Sequence, residues 1–489
     1  FTPDIFLDMI RHITILLLLI AAGSCLYAAD SLQVSSPDNN ISVTLYCKGS
    51  IRYTVQYKGK TILQPSAINL LPENQPALSA NPSVRTSRIT RVNDTIVSPV
   101  PEKRVIIPDQ YNQLTVQFRQ PYSLIFRVYN DGVAYRITTR FKDSLIVSNE
   151  QAQFVFERGK RLLFPLIDPA GRTDSLHTSF EELYRPVSID SINGSSFAYT
   201  PVLAGSRDEI KVAITESDLE DYPGMFLRGT AGNALEGLFA GYPLETTMTN
   251  GEFPQEVVTR RASYIARTKG ARNFPWRVLI IAPGDKDLPG NDLVYRLASP
   301  SKISDVSWIR PGKGTDEWII GINLFNVPFK AGINTATYKF YIDFAQQFGF
   351  DRIMLDAGWS DYKDLFRINP ALSMDTLAAY ARQKGIRLSM WTLCSTLDRQ
   401  LDSALKQFQR WGVDFIMTDF MDRDDQPMVN FYERISKACA EHQIMIMFHG
   451  AYPPKGFTRT WPNNITREGV LGSEYNIWSD KPTPEHNVT

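Results

Sequence analysis

The chain has 489 residues, enough for two or three domains with large cores. Lys plus Arg and Asp plus Glu both number 52, a formal net charge of zero. That balance argues against a nucleic-acid partner, which demands a basic face, and suits a neutral ligand such as a sugar.

Residues 1–29 have the pattern of a secretory signal. Arg11 and His12 precede the apolar run 13–22, and small residues follow through Ala28 and Ala29. Met9 is the expected start, which makes residues 1–8 upstream read-through. The run is too short to cross a bilayer, so the mature chain is expected to be exported and to lack a transmembrane span. Ser24 weakens the case for a lipoprotein anchor at Cys25. Cys47, Cys394 and Cys439 then remain, without disulfide or metal spacing, and are expected to be buried thiols.

From 30 to 300 the apolar pattern alternates, as at 41–45, 53–57 and 114–118. Two alternating runs, 124–129 and 133–138, flank Asn130-Asp131-Gly132 and predict a hairpin whose Gly supplies a positive φ. Many short strands at this spacing predict a β-sandwich domain. The period changes near 301. Strands are predicted at 305–308, 352–355, 386–391, 413–418 and 444–448, with a sixth near 470–473. Helices are predicted at 335–348, 374–383, 401–411 and 428–441. The alternation predicts a parallel sheet over 301–489. A (β/α)8 barrel closes with eight strands, so the pattern accounts for a barrel truncated after about six.

Asp419 stands where the strand 413–418 ends, and barrels build their sites at that end. Glu468 and Glu474 follow after one more strand-like run. Glycoside hydrolysis needs two such carboxyl groups, one proton donor and one nucleophile or base. The plainer alternatives are an Asp419 that caps a helix or pairs with Arg423, and two surface glutamates. Three converging carboxylates repel unless a cation or a shared proton compensates, and a hard divalent cation with oxygen ligands, Ca²⁺ above all, is the natural solution. Asp356, Trp359, Trp391 and His449 end other predicted strands, and Trp308 and Lys313 lie in the loop after the first. Each is a candidate sugar contact or a packing residue.

These segments resemble glycoside hydrolase family 97 over most of the mature chain. The resemblance is carried by Asn130-Asp131-Gly132-Val133-Ala134-Tyr135-Arg136, Phe274-Pro275-Trp276-Arg277, Ser307-Trp308-Ile309-Arg310-Pro311-Gly312-Lys313 and Leu355-Asp356-Ala357-Gly358-Trp359-Ser360. It continues through Asp419-Phe420-Met421-Asp422-Arg423-Asp424-Asp425, His449-Gly450-Ala451, Arg459-Thr460-Trp461-Pro462-Asn463 and Gly472-Ser473-Glu474-Tyr475. It implies an N-terminal β-super-sandwich, a (β/α)8 barrel and a small C-terminal β-domain. It also implies an active-site Ca²⁺ and exo-acting α-glycosidase activity in the periplasm of a Gram-negative bacterium. Inverting α-glucosidases of the family resemble Asn-Ala-His-Glu at the fifth strand, where this chain has Met447-Phe448-His449-Gly450. Retaining α-galactosidases instead carry a nucleophilic Asp at the end of strand four, the place of Asp419. The resemblance therefore implies Asp419 as nucleophile and Glu474 as acid/base on an α-galactoside. Glu468, Glu474 and Glu181, favoured over Glu182, are the implied calcium ligands. Fewer tryptophans than is usual in the family occur at 314–318. An inverting α-glucosidase and a non-catalytic carbohydrate-binding protein are the competing expectations.

Overall fold

A computed structural model describes residues 31–230 and 232–487. The expected signal segment, with Met9 and Cys25, lies outside them. Among the described residues, nineteen strands from Ser31–Ser35 to Trp276–Ala282 join through antiparallel pairings into one β-rich N-terminal region. Alternation drives this. In Ile41–Tyr46 every second side chain is buried, and period-two strands bury one face. The rings of Tyr53, Phe126 and Tyr135 meet in the core, with centroids 5.3–5.6 Å apart.

The hairpin between Tyr122–Tyr129 and Gly132–Arg140 forms, with Tyr129 opposite Gly132. Its glycine serves a different end from the one expected. Gly132 is not among the positive-φ residues, and a Cβ there would meet the Leu279 carbonyl oxygen at 2.5 Å. Close strand packing, not turn geometry, excludes a side chain.

A second hairpin, Pro243–Met248 with Glu256–Arg261, stands apart from the nineteen strands. Its base is tied down by Arg261, which pairs with Asp174 and, at 3.3 Å, with Asp425.

The C-terminal half carries a five-stranded parallel sheet in chain order: Arg352–Leu355, Arg387–Leu393, Val413–Asp419, Met445–Phe448 and Asn464–Arg467. Helices Thr335–Phe348, Met374–Lys384, Cys394–Trp411 and Gln426–Glu441 alternate with them. Local chemistry fixes the helix ends. Asn334 and Asp425 accept from the Thr337 and Met428 amides as N-caps, and Gly349, Gly385 and Gly412 end three helices in the left-handed region.

Two predicted strands are corrected. Residues 305–308 form a turn, because Asp305 Oδ1 accepts from the Ser307 amide at 2.9 Å and its carbonyl accepts from the Trp308 indole. The sheet edge there is a single parallel bridge between Gly314 and Arg352. Residues 470–473 are not a strand either. The fifth parallel strand lies earlier, at Asn464–Arg467, and Ser473–Ile477 is a 3-10 turn. The described strands thus form an open parallel sheet of five. Cys394 and Cys439 are buried thiols, Cys47 is half-buried, and all three are free. Among the described residues no helix is long and apolar enough to cross a membrane.

Candidate active site

The C-terminal ends of the parallel strands open into a cavity of about 350 Å³ shared with the N-terminal region. The strand Val413–Asp419 delivers Asp419 to its wall, 7% exposed. The Trp391 indole donates to Asp419 Oδ2 at 3.1 Å, and the Phe420 amide donates to Oδ1 at 2.6 Å. Those two donors fix the plane of the carboxylate.

His449, beyond the next strand, lies at the centre of the acids. Its Nδ1 is 2.8 Å from Glu468 Oε2 and 3.3 Å from Asp419 Oδ1, and its Nε2 is 3.8 Å from Glu474 Oε2. Burial pulls the imidazole down, but Asp419 and Glu468 more than offset it and push it up to about 12. Glu468 Oε2 also accepts from the Gly450 amide at 3.1 Å.

Glu474 sits on the turn Ser473–Ile477, and burial, reinforced by Glu468, raises its carboxyl to about 7. Glu181 reaches the same cavity from the N-terminal region, where Tyr475 donates to its Oε2 at 3.2 Å. Burial and then Glu468 raise it too. Glu182 does not line the cavity and pairs with Arg172 at 3.5 Å. Asp356 follows Arg352–Leu355 into the cavity and is raised to about 7, chiefly by burial.

Several predicted contacts lie elsewhere. Trp359 is 1% exposed, donates to the Trp391 carbonyl at 2.7 Å and packs on Phe408 and Trp411. It is core, not a sugar contact. Trp308 is held in its turn by Asp305 and does not line the cavity. Lys313 is exposed beside the start of Arg352–Leu355, where its amide meets Asp351 at 2.7 Å, at the end of the sheet opposite the site. Trp391 and His449 do line the cavity.

The cavity also holds residues that the sequence reading passed over. Phe253, at the tip of the separate hairpin, stacks on Phe420 at 5.3 Å and meets Trp391 at 5.8 Å. Asp422 is 5% exposed with no partner for Oδ1; burial, then Asp419 and Glu181, raise its carboxyl well above the usual range. Its carbonyl accepts from the Thr178 amide at 2.9 Å, so the N-terminal region holds the loop that follows Asp419. The Asp419–Asp425 acid cluster was visible in sequence, but which acids faced inward was not.

The donor atoms of His449, Glu468 and Glu474 lie within 4.8 Å of one another, a grouping able to hold a metal ion. With Glu181 the donors are mostly carboxylate oxygens. Glu181 and Glu474 are raised first by burial and then by Glu468, so the acids crowd one another, and the residues fit a hard cation.

Residues 34–300 match the profile of the glycosyl-hydrolase 97 N-terminal domain, and residues 317–470 match glycoside hydrolase 97. The chain belongs to glycoside hydrolase family 97. Among family relatives, it is 33% identical over 475 residues to a protein of Bacteroides thetaiotaomicron named "Retaining alpha-galactosidase", covering 96% of this chain and 72% of that one. It is 28% identical over 445 residues to a "Probable retaining alpha-galactosidase" of Streptomyces bingchenggensis, covering 88% of this chain and 63% of the relative. A family 97 enzyme from Pseudoalteromonas sp. strain K8, solved with acarbose, superposes with a TM-score of 0.78 at 24% identity, over 91% of this chain and 70% of that one. A beta-arabinopyranosidase superposes at 0.77, also at 24% identity, over 92% and 71%. Both share the family 97 fold.

Proposed function

We propose that this family 97 hydrolase is a retaining, exo-acting α-galactosidase, with Asp419 as nucleophile and Glu474 as acid/base. The observation that carries the reading is Gly450. By the resemblance it stands where inverting members carry a water-activating Glu, and it lines the same cavity as Asp419, whose Oδ1 would be 3.4 Å from a Cβ built there. The relative named "Retaining alpha-galactosidase" supports the same choice.

Asp419 attacks the anomeric carbon while the bond from that carbon to the leaving oxygen breaks. Glu474, whose carboxyl burial raises, gives its proton to that oxygen. In the second half Glu474 takes a proton from water, the water oxygen bonds to the anomeric carbon and the ester to Asp419 breaks. Two inversions leave the α configuration. Trp391 and the Phe420 amide hold the attacking carboxylate in place throughout.

Glu181, Glu468 and Glu474 would hold Ca²⁺. Such an ion supplies fixed positive charge that orients substrate hydroxyls. The parallel sheet fits a (β/α)8 barrel, and the apolar run at 13–22 supports export to a periplasm. Proton NMR of the first-formed anomer from an α-galactoside tests the mechanism. The α-anomer is expected. The β-anomer first, or faster turnover of α-glucosides, overturns the reading in favour of an inverting α-glucosidase. No turnover favours a binding protein.

A further inference from the structure

Two loops of the C-terminal half carry groups to the cavity. One, 420–425, follows Asp419, and its Phe420 amide holds the Asp419 carboxylate. The other, 449–456, starts at His449. The two are joined, since the Asp422 amide donates to the Gly450 carbonyl at 3.0 Å. Their far ends, Asp424 and Lys455, are buried outside the cavity. Both seat on one segment of the N-terminal region, 216–225, which continues the strand Lys211–Ser217.

That segment is fixed from beneath by buried charge. Glu216 is fully buried; Arg277 of the neighbouring strand pairs with its Oε2, and the Met225 amide donates to its Oε1 at 2.8 Å. Arg277 also clasps Glu150 through two bonds of 2.7 Å. Lys455 brings its ammonium to 3.3 Å from Glu216 Oε1 and donates to the Thr200 hydroxyl. The Lys455 carbonyl accepts from the Asp218 amide at 3.1 Å. Beside it, a Cβ at Gly456 would meet the Val294 carbonyl oxygen at 2.7 Å. The fit at Asp424 is as close. Its carbonyl accepts from the Gly224 amide at 2.8 Å, and a Cβ at Gly224 would collide with its carboxyl. Gln426, which opens the next helix, donates to Asp221 at 2.7 Å.

An apolar side chain would seat a loop without the desolvation that a buried ammonium costs, but it could slide. A buried ammonium has one place, because moving it breaks a pair that no water replaces. We propose that Lys455 and Asp424 are positioning residues: seated on 216–225, they fix both loops and, through Gly450 and Phe420, set the place from which Asp419 attacks. The N-terminal region thus shapes the site from outside the cavity, beyond the Glu181 that it sends inside. The effect on turnover rests on the reading of Asp419 as nucleophile; the seating of the loops does not.

The test combines hydrogen exchange with kinetics on the whole chain. Lys455→Met removes the ammonium but leaves Glu216 with Arg277 and the Met225 amide, so no buried charge is left alone. Gly224→Ala pushes Asp424 from the other side, changes no charge, and serves alone if Lys455→Met does not fold. In each variant the amides within 420–425 and 449–456 should exchange about tenfold faster, while those of Val413–Asp419 and Lys211–Ser217 keep their wild-type rates. On nitrophenyl α-galactoside, kcat should fall by about tenfold or more with KM within about twofold, because the displaced carboxylate acts in the transition state. Loop exchange that does not change, or a rise shared equally by loops and strands, overturns the positioning role. So does a wild-type kcat in variants whose loops exchange faster. A wild type that releases the β-anomer first overturns the nucleophile reading instead, and faster exchange confined to the two loops then still upholds their seating.

Discussion

Gly450 leaves open the space that Asp419 faces: a Cβ at position 450 would lie 3.4 Å from Asp419 Oδ1 and 2.7 Å from Asp422 Oδ1. Its φ of +59° is also one that side-chain-bearing residues rarely adopt. Gly450→Ala should therefore cost roughly 1–2 kcal/mol of stability through backbone strain. It should also lower kcat/KM by about tenfold or more, because the 2.7 Å contact pushes Asp422 and, with it, the loop whose Phe420 amide holds the Asp419 carboxylate. Urea denaturation and nitrophenyl α-galactoside kinetics check both effects. Wild-type kinetics from this variant would show that the space is not needed.

Asp419→Gly removes the attacking atom and leaves Glu474 in place. Turnover should fall by about three orders of magnitude or more. Azide or formate should restore part of it by entering the vacated space, and the azide product should have β configuration. Glu474→Gln should behave differently. Substrates with good leaving groups should be spared relative to poor ones, since they need less protonation. Near-normal activity in Asp419→Gly would remove it from the mechanism.

Glu181, Glu468 and Glu474 come from two different parts of the chain, yet line one cavity. With Ca²⁺ among them, exhaustive chelation should reduce activity and added calcium should restore it. Glu181→Gln should raise the calcium concentration needed for half-maximal activity, about tenfold for a lost carboxylate worth ~1.4 kcal/mol. Full activity in demetallated protein would rule out the ion.

The strand Val413–Asp419 and the helix Thr335–Phe348 were legible because apolar period and caps agree there. Asp419 followed from the rule that such strands point their ends into a site. Trp359 and Trp391 looked alike in sequence, since each sits at a strand end. Only packing separates them: Trp359 turns back against Phe408 and Trp411, whereas Trp391 stays over Asp419. Residues 305–308 looked like a strand because their alternation hides the local bond from the Ser307 amide to Asp305 that makes a turn. Phe253 and Trp478, both in the cavity wall, left no trace, because loops and turns carry no period, and the segment 314–318 that ends in Trp318 stood out only through the resemblance. Glu181 came from resemblance alone; its approach to Glu468 is a tertiary fact that spacing does not encode.

Glu317 makes a different kind of test, on stability and not on turnover. It precedes Trp318 and is only 2% exposed. Burial is the main reason that its carboxyl is raised from an ordinary value of 4.5 to about 8, with Thr315 opposing and Asp356 adding to the rise. Thr315 donates to its Oε2 at 3.2 Å, too little to sustain a buried charge. Between pH 4.5 and 8 the folded chain keeps a proton that the unfolded chain has released. Stability that is fully present below the lower value is therefore lost as pH rises through the upper one, by at most ~1.4 kcal/mol per pH unit. Glu317→Gln is neutral at every pH and nearly the same shape, so it should remove this slope. The variant and the wild type should be of similar stability near pH 5, and the variant should be the more stable by pH 8. Urea denaturation at four pH values across that range measures the difference, in which most other titrating groups cancel. Parallel curves for the two proteins would mean that Glu317 is ionised in the folded state.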